Sequence, residues 1–384
     1  MFSGLKGIRS YLLAVALLAA LAGQCFFLAS RTNLTSFEES WVQSGNDFLS
    51  SALQGNPRSE WAFVGAMAAS HSPFVNVAPD STLGRVLVRL PFIGFGLLLG
   101  GAVWYVARRL YGRLGGYIAL SLYCFSPVVV EYSSTAQPHM VAAFGVFGTV
   151  FTGIAVAHTL YAPREVILWN WRRILLLGAA IALAVAALPA AVWALVLTLA
   201  FMFYLAPERR GAAVVIVLTA ATVAIFALLA MYQFHLRTFA ESIATARWGD
   251  LSAEAIGSPT VYAMLGLFLL RNSTSFVFLL AVALVTFVAW KRSRYFGTIA
   301  PLAAAAVLAL LALVMPQAAG FEFLVVAVPF AFLFAGGVWA DLLEAKDARL
   351  RTAAIAVAIA GLLTHAMFSI SGLIQVGLAH PAAR

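Results

Sequence analysis

Charge is what this sequence has least of. Only 10% of its 384 residues are Asp, Glu, Lys or Arg, where a soluble domain carries about 25%. That shortage excludes an ordinary water-soluble domain. Cysteine is nearly missing as well. The two present, Cys25 and Cys124, both fall in apolar segments, so no disulfide framework or cysteine-based metal site is implied. Phosphate-loop, dinucleotide-binding, metalloprotease and G-x-S-x-G patterns do not occur, which leaves ATP-driven transport and serine hydrolysis without support. Period-2 alternation in short segments is also missing, which argues against a transmembrane β-barrel.

What is present is apolar. Hydrophobic residues make up 63% of the chain and the mean hydropathy is +0.95. They fall in repeated blocks of roughly 20 residues, the length that crosses a hydrocarbon core of about 30 Å. The expected fold class is therefore all-α, a polytopic transmembrane helical bundle. Eleven spans are expected, at 11–30, 86–107, 115–131, 139–160, 173–188, 190–206, 211–232, 273–290, 296–315, 321–340 and 352–373. Lys6 and Arg9 ahead of an apolar run resemble a signal peptide, but the run from Tyr11 to about Ser30 is long enough to span and reads as a retained first helix.

The charges that remain are sorted by side. With the N-terminus in the cytoplasm, alternating spans place 16 of the 24 basic residues inside: Lys6, Arg9, Arg108, Arg109, Arg113, Arg164, Arg172, Arg173, Arg209, Arg210, Lys291, Arg292, Arg294, Lys346, Arg349 and Arg351. Such a bias sets orientation in membranes, and it places the C-terminus outside. The net charge of +9 is thus a topology signal, and nucleic acid is not an expected partner. Ten of the fifteen acidic residues face out. Two long segments, 31–85 and 233–272, also lie outside, so the chemistry is expected there, with the two loops used together.

Within the first loop, residues 36–53 read as an amphipathic interfacial helix through Phe37, Trp41, Phe48 and Leu49. Residues 259–271 are apolar but short, and read as an interfacial or re-entrant segment. Residues 1–272 form the expected functional module, with 273–384 as added C-terminal helices.

Residues 88–140 carry a further signal. Arg89-Leu90-Pro91 opens the second span, Arg108 to Gly116 forms a basic turn, and Ser126-Pro127 ends the third span. In order and spacing these elements resemble the polytopic glycosyltransferases of GT-C type that use polyprenyl-phosphate-linked sugars, close to the protein O-mannosyltransferase and lipid A aminoarabinose transferase families. The match is close over about 50 residues and loose over about 270. The resemblance implies sugar transfer to an unknown acceptor on the outer face of a bacterial-type inner membrane. It also implies an acidic residue early in the first outer loop that acts as base or binds metal. The matching stretch is Ser36-Phe37-Glu38-Glu39-Ser40-Trp41, with Glu38 where the family has Asp. His139 stands where the family has a second acid.

Sugar transfer needs a base, cations for the departing phosphate and an apolar groove for the lipid. Glu38 is the candidate base, with Glu39 or Asp47 in support. A solvated helix face or an N-terminal cap is the competing account of Glu38 and Glu39. Arg89, Arg237 and Arg247 are candidate phosphate ligands, although Arg89 would serve equally as an interfacial anchor. Arg271, beside a span, reads as an anchor. Glu131, Tyr132 and His139 are candidates to line the cavity. A divalent metal on Glu38, His71 and His139 is an open alternative without ligand spacing to support it. Two further functions stay open: a non-catalytic subunit of the same fold acting as scaffold in a membrane complex, and a transporter. Against the transporter, no inverted repeat or paired mid-membrane charge is evident.

Overall fold

The computed structural model describes residues 2–74, 77–78, 81–161, 171–249, 254–315 and 322–379. Asp80, Arg164, Glu165, Asp250 and Arg384 lie outside the described residues. Among those described there is no strand, and fifteen α-helices account for almost all of the chain. In order they are α1 Phe2–Arg31, α2 Ser36–Leu53, α3 Phe63–Ala68, α4 Thr82–Cys124, α5 Pro127–Ser133 and α6 His139–Ala157. Then come α7 Trp171–Ala187, α8 Trp193–Leu205, α9 Arg210–Met231, α10 Leu236–Thr245 and α11 Pro259–Asn272. The last four are α12 Thr274–Ala289, α13 Phe296–Val314, α14 Glu322–Leu343 and α15 Ala348–Ala379.

Ten of the eleven expected spans fall largely within one helix each, while 115–131 runs across the break between α4 and α5. By length and apolarity, however, seven helices among the described residues qualify to cross a membrane, or eight if the bent pair α11–α12 is one span. The α7 and α8 helices, at 17 and 13 residues, are too short to pass that test alone. The chain is a multi-pass membrane protein.

The 43-residue α4 is not one rod. Gly112, at φ 75° and ψ −167°, breaks it in a conformation that glycine reaches without a Cβ clash. The halves then fold back on one another. Tyr123 Oη donates to the Gly96 carbonyl at 2.7 Å across 27 residues, a separation of roughly 40 Å in a straight helix. The basic turn Arg108 to Gly116 is therefore a hairpin between the second and third expected spans.

The core gathers on α14. Its apolar window is 94% buried, whereas those of α1, α9 and α15 are 28%, 22% and 28% buried, so α14 runs through the centre and the other three lie at the periphery. Trp339, Phe330, Phe332 and Phe334 are fully enclosed. The core around them runs from Ala14 to Ala358, across the expected boundary at 272.

The two long loops meet. Tyr232 Oη donates to the Glu60 carbonyl at 2.7 Å, and Gln233 Nε2 donates to Ala52 O at 2.6 Å. The Trp61 and Trp248 rings pack edge to face. The expected interfacial helix is α2, whose Val42 and Phe48 are buried while Phe37 stays exposed. The expected re-entrant segment is α11, which meets α12 at 107°.

Candidate functional site

Thr35-Ser36-Phe37-Glu38 is a helix-start signature, and it folds as one. The Thr35 side chain accepts from Glu38 N, and Thr35 N donates to Glu38 Oε2 at 2.9 Å, closing a capping box at the start of α2. The Glu38 carboxylate then turns inward to Arg89 on α4. Arg89 Nε reaches Oε1 at 2.7 Å and Nη2 reaches Oε2 at 2.8 Å, a bidentate pair. The remaining Arg89 donors bind the chain as it leaves α1: Nη1 to Ala29 O, Thr32 O and Thr32 Oγ1, and Nη2 to Asn33 O, all within 3.0 Å. Ala136 N donates to Glu38 Oε1 at 2.9 Å, adding the segment between α5 and α6.

Glu38 is 0% and Arg89 1% exposed, so the pair lies wholly inside the protein. Burial by itself raises the Glu38 pKa. The hydrogen bonds and charge of Arg89, with the Ala136 and Thr35 amides, outweigh it and leave the carboxyl below its ordinary value. Both oxygens are surrounded by donors and neither presents a lone pair to a substrate hydroxyl.

A second acid–arginine pair sits nearby in a different setting. Ser126-Pro127 starts α5, with Ser126 Oγ accepting from Val129 N at 3.2 Å and Pro127 in the first turn. One turn on, Glu131 Oε1 meets Arg271 Nη2, from the end of α11, at 2.6 Å. Here the side chains are 38% and 54% exposed, and this single contact is the bond between them. Burial raises the Glu131 pKa, and Arg271 offsets only part of that.

Between the two pairs lies a cavity of about 510 Å³. Its polar end carries Thr32, Asn33, Thr35, Arg89, Glu131 and Thr135. Its other walls carry Leu28 of α1, Val130 of α5 and Phe368, Leu373 and Val376 of α15, interspersed with Ser369, Ser371 and Gln375 of the same helix. Such a space fits an amphiphile with a polar head and an apolar chain.

Among the expected residues, Arg89 and Glu131 line this cavity, and Glu38 is buried behind Arg89. The Tyr132 and His139 rings pack against each other at a tilt of 52°, centroids 4.5 Å apart, and neither lines the cavity. Glu39 is exposed on α2. Asp47 pairs with Arg58 on the surface at 2.9 Å, Arg237 pairs with Glu241 at 3.1 Å, and Arg247 is exposed. None of these last four lines the cavity. Arg271 is the main residue that sequence reasoning undervalued. The signal for it was Glu131 itself, an acid near membrane depth that calls for a cation. No group of three His, Cys, Asp or Glu among the described residues comes together as a metal requires. Among the described residues, His71, His139 and Glu38 do not form a ligand set.

No family model matches this sequence, and no curated protein matches it. Solved structures do match. The archaeal oligosaccharyltransferase AglB of Archaeoglobus fulgidus, in complex with an inhibitory peptide and a dolichol-phosphate, superposes with a TM-score of 0.60 at 12% identity. The match covers 94% of this chain and 56% of that one. ArnT of Cupriavidus metallidurans, bound to undecaprenyl phosphate, superposes at 0.55 with 16% identity, covering 94% of this chain and 73% of that one. The fold is that of the GT-C glycosyltransferases. An AglB structure complexed with Zn and sulfate matches at 0.52 and 14% identity, covering 83% of this chain and 45% of that one. At these identities the likeness establishes the GT-C fold alone, and this chain spans little more than half the length of AglB.

Proposed function

We propose that this chain is a membrane glycosyltransferase that moves a sugar from a polyprenyl-phosphate-linked donor to an acceptor hydroxyl. The observation that carries the reading is a largely apolar cavity lined at one side by Glu131, whose half-exposed partner Arg271 lies just behind it, inside a GT-C fold. The printed ligands of the similar structures, dolichol-phosphate in AglB and undecaprenyl phosphate in ArnT, support the donor class. The basic bias of the short loops supports a bacterial-type inner membrane with the site on its outer face. Under this reading the lipid bilayer and the polyprenyl chain contact the apolar wall.

The chemistry follows from the pair. The donor phosphate takes Arg271 from Glu131 through charge-assisted hydrogen bonds. Glu131, already raised by burial and now without its cation, becomes a stronger base. It removes the acceptor hydroxyl proton as that oxygen bonds to the anomeric carbon. The bond from that carbon to the phosphate oxygen breaks, and polyprenyl phosphate leaves on Arg271. Glu38 and Arg89 hold the frame of the site, and the base moves from the first loop to α5.

A second reading, a GT-C subunit acting as scaffold in a membrane complex, is favoured by one observation. The carboxylate in the position where related enzymes place their base is fully engaged by Arg89. Undecaprenyl phosphate binding, followed by native mass spectrometry on protein in nanodiscs, separates the two. The enzyme reading expects stoichiometric binding that Arg271→Ala weakens. No binding, together with a stoichiometric copurifying protein, establishes the scaffold.

A further inference from the structure

Arg271 is followed by two buried polar residues, Asn272 and Ser273, both 0% exposed. They make the 107° bend between α11 and α12. Ser273 stands at φ 157° and ψ 151°, a region that residues with a side chain rarely occupy and that persists only where the surroundings impose it. Two contacts impose it here. Ser126 Oγ donates to Asn272 Oδ1 at 2.5 Å, and Ser126 is also the cap of α5, the helix that carries Glu131. Ser273 Oγ lies 2.5 Å from Nδ1 of His365, a fully buried residue of α15. The other ring nitrogen, Nε2, lies 3.0 Å from the Leu122 carbonyl. A carbonyl only accepts, so Nε2 carries the proton and Nδ1 accepts from the Ser273 hydroxyl. Ser273 Oγ in turn accepts from Phe276 N at 3.0 Å and caps α12.

We infer that His365 is a positioning residue: by holding the Ser273 bend it aims Arg271 at Glu131 and at the cavity. The sugar-transfer reading gives His365 no direct part, since it touches none of the cavity's polar groups. Its helix, over the next three turns, supplies Phe368, Leu373 and Val376 to the cavity wall. Ser369 of the same helix donates to Gln24 Oε1 of α1 at 2.9 Å. The same helix therefore sets both the wall on which a lipid chain would lie and the cation its phosphate would meet. Buried polar groups at membrane depth are costly unless bonded; here Asn272 Oδ1, Ser273 Oγ and both His365 ring nitrogens have partners, Asn272 Nδ2 has none, and the bonds converge on the two residues that follow Arg271.

This inference rests on the proposed use of the Glu131–Arg271 pair, and its test has an arm that does not. An Asn side chain places its amide near the Nδ1 position and a Gln near Nε2. Full-length protein in nanodiscs is compared as wild type, His365→Asn, His365→Gln and His365→Ala by amide exchange across residues 271–277, with α14 as the internal control. His365→Asn is expected to exchange like wild type at the bend. His365→Gln and His365→Ala are expected to exchange about tenfold faster there, the effect of one lost buried hydrogen bond, with α14 unchanged. In the second arm, His365→Ala weakens undecaprenyl phosphate binding about tenfold, and the same change made on top of Arg271→Ala costs nothing more. Unchanged exchange in His365→Ala overturns the inference, as does equal damage from Asn and Gln, which would mark a packing role only. Wild-type protein that binds no undecaprenyl phosphate overturns the functional reading, while the exchange arm still decides the role of His365.

Discussion

Two Glu–Arg pairs flank one cavity, and they differ in almost everything except composition. Glu38–Arg89 is sealed from solvent, bidentate, and bonded to five further backbone groups near the ends of α1, α2 and α5. Glu131–Arg271 is half exposed and joined by a single contact. A buried pair with every lone pair occupied holds structure, because any substrate would have to break several bonds at once. A pair with one contact can exchange partners when an anion arrives. The environment, and not the residue type, separates the two pairs.

The largest expected effect tests the frame. Arg89→Ala leaves a carboxylate buried without its cation, and removing one partner of a buried pair typically costs about 3–5 kcal/mol. A large drop in the thermal midpoint in detergent is expected, with much of it restored by Glu38→Gln in the same chain. Glu131→Ala, by contrast, removes a half-exposed pair of the kind worth about 0–1 kcal/mol and should barely move that midpoint. Equal losses in the two variants would erase the distinction.

Next in size is the effect on transfer. Glu131→Gln keeps the size of the side chain and a hydrogen bond to Arg271 but cannot take a proton. General-base catalysis contributes about 10²–10⁴-fold, so turnover with an undecaprenyl-phosphate-linked sugar should fall by that order while lipid binding persists. Full turnover in Glu131→Gln would return the base to another group. Arg271→Ala should instead weaken lipid-phosphate binding about tenfold or more, the value of a charge-assisted hydrogen bond.

The helices were legible because apolar blocks of spanning length leave few alternatives. So was the hairpin at Gly112, through the basic Arg108 to Gly116 turn. The site was legible only in part. Glu38 looked like a base from its place in the loop, yet Thr35-x-x-Glu38 already spelled a capping box. Its cation, Arg89, lies 51 residues away, a distance no local pattern encodes. Arg271 looked like an anchor because its partner, Glu131, lies 140 residues back on a helix of seven residues. The bend at Ser273 was invisible for the same reason: its cause is a histidine 92 residues further on.

The smallest expected effects come from pH, and they run in opposite directions for the two acids. Glu38 has a folded pKa below its ordinary value of 4.5, so it binds fewer protons folded than unfolded. Its stabilisation is complete above 4.5 and is lost as pH falls through that value toward the folded pKa. Glu131 has a folded pKa above 4.5, so the folded state binds the extra proton and stability declines slightly as pH rises from 4.5 through the folded pKa. Glu131→Gln should flatten that decline and leave the acid-side loss in place. If Glu131 is also the base, the acid limb of the transfer rate lies above 4.5. Arg271→Ala, by removing the group that holds the carboxyl down, should move that limb to still higher pH. A limb that stays put in Arg271→Ala would uncouple the pair from the chemistry and leave it a surface contact like Asp47–Arg58.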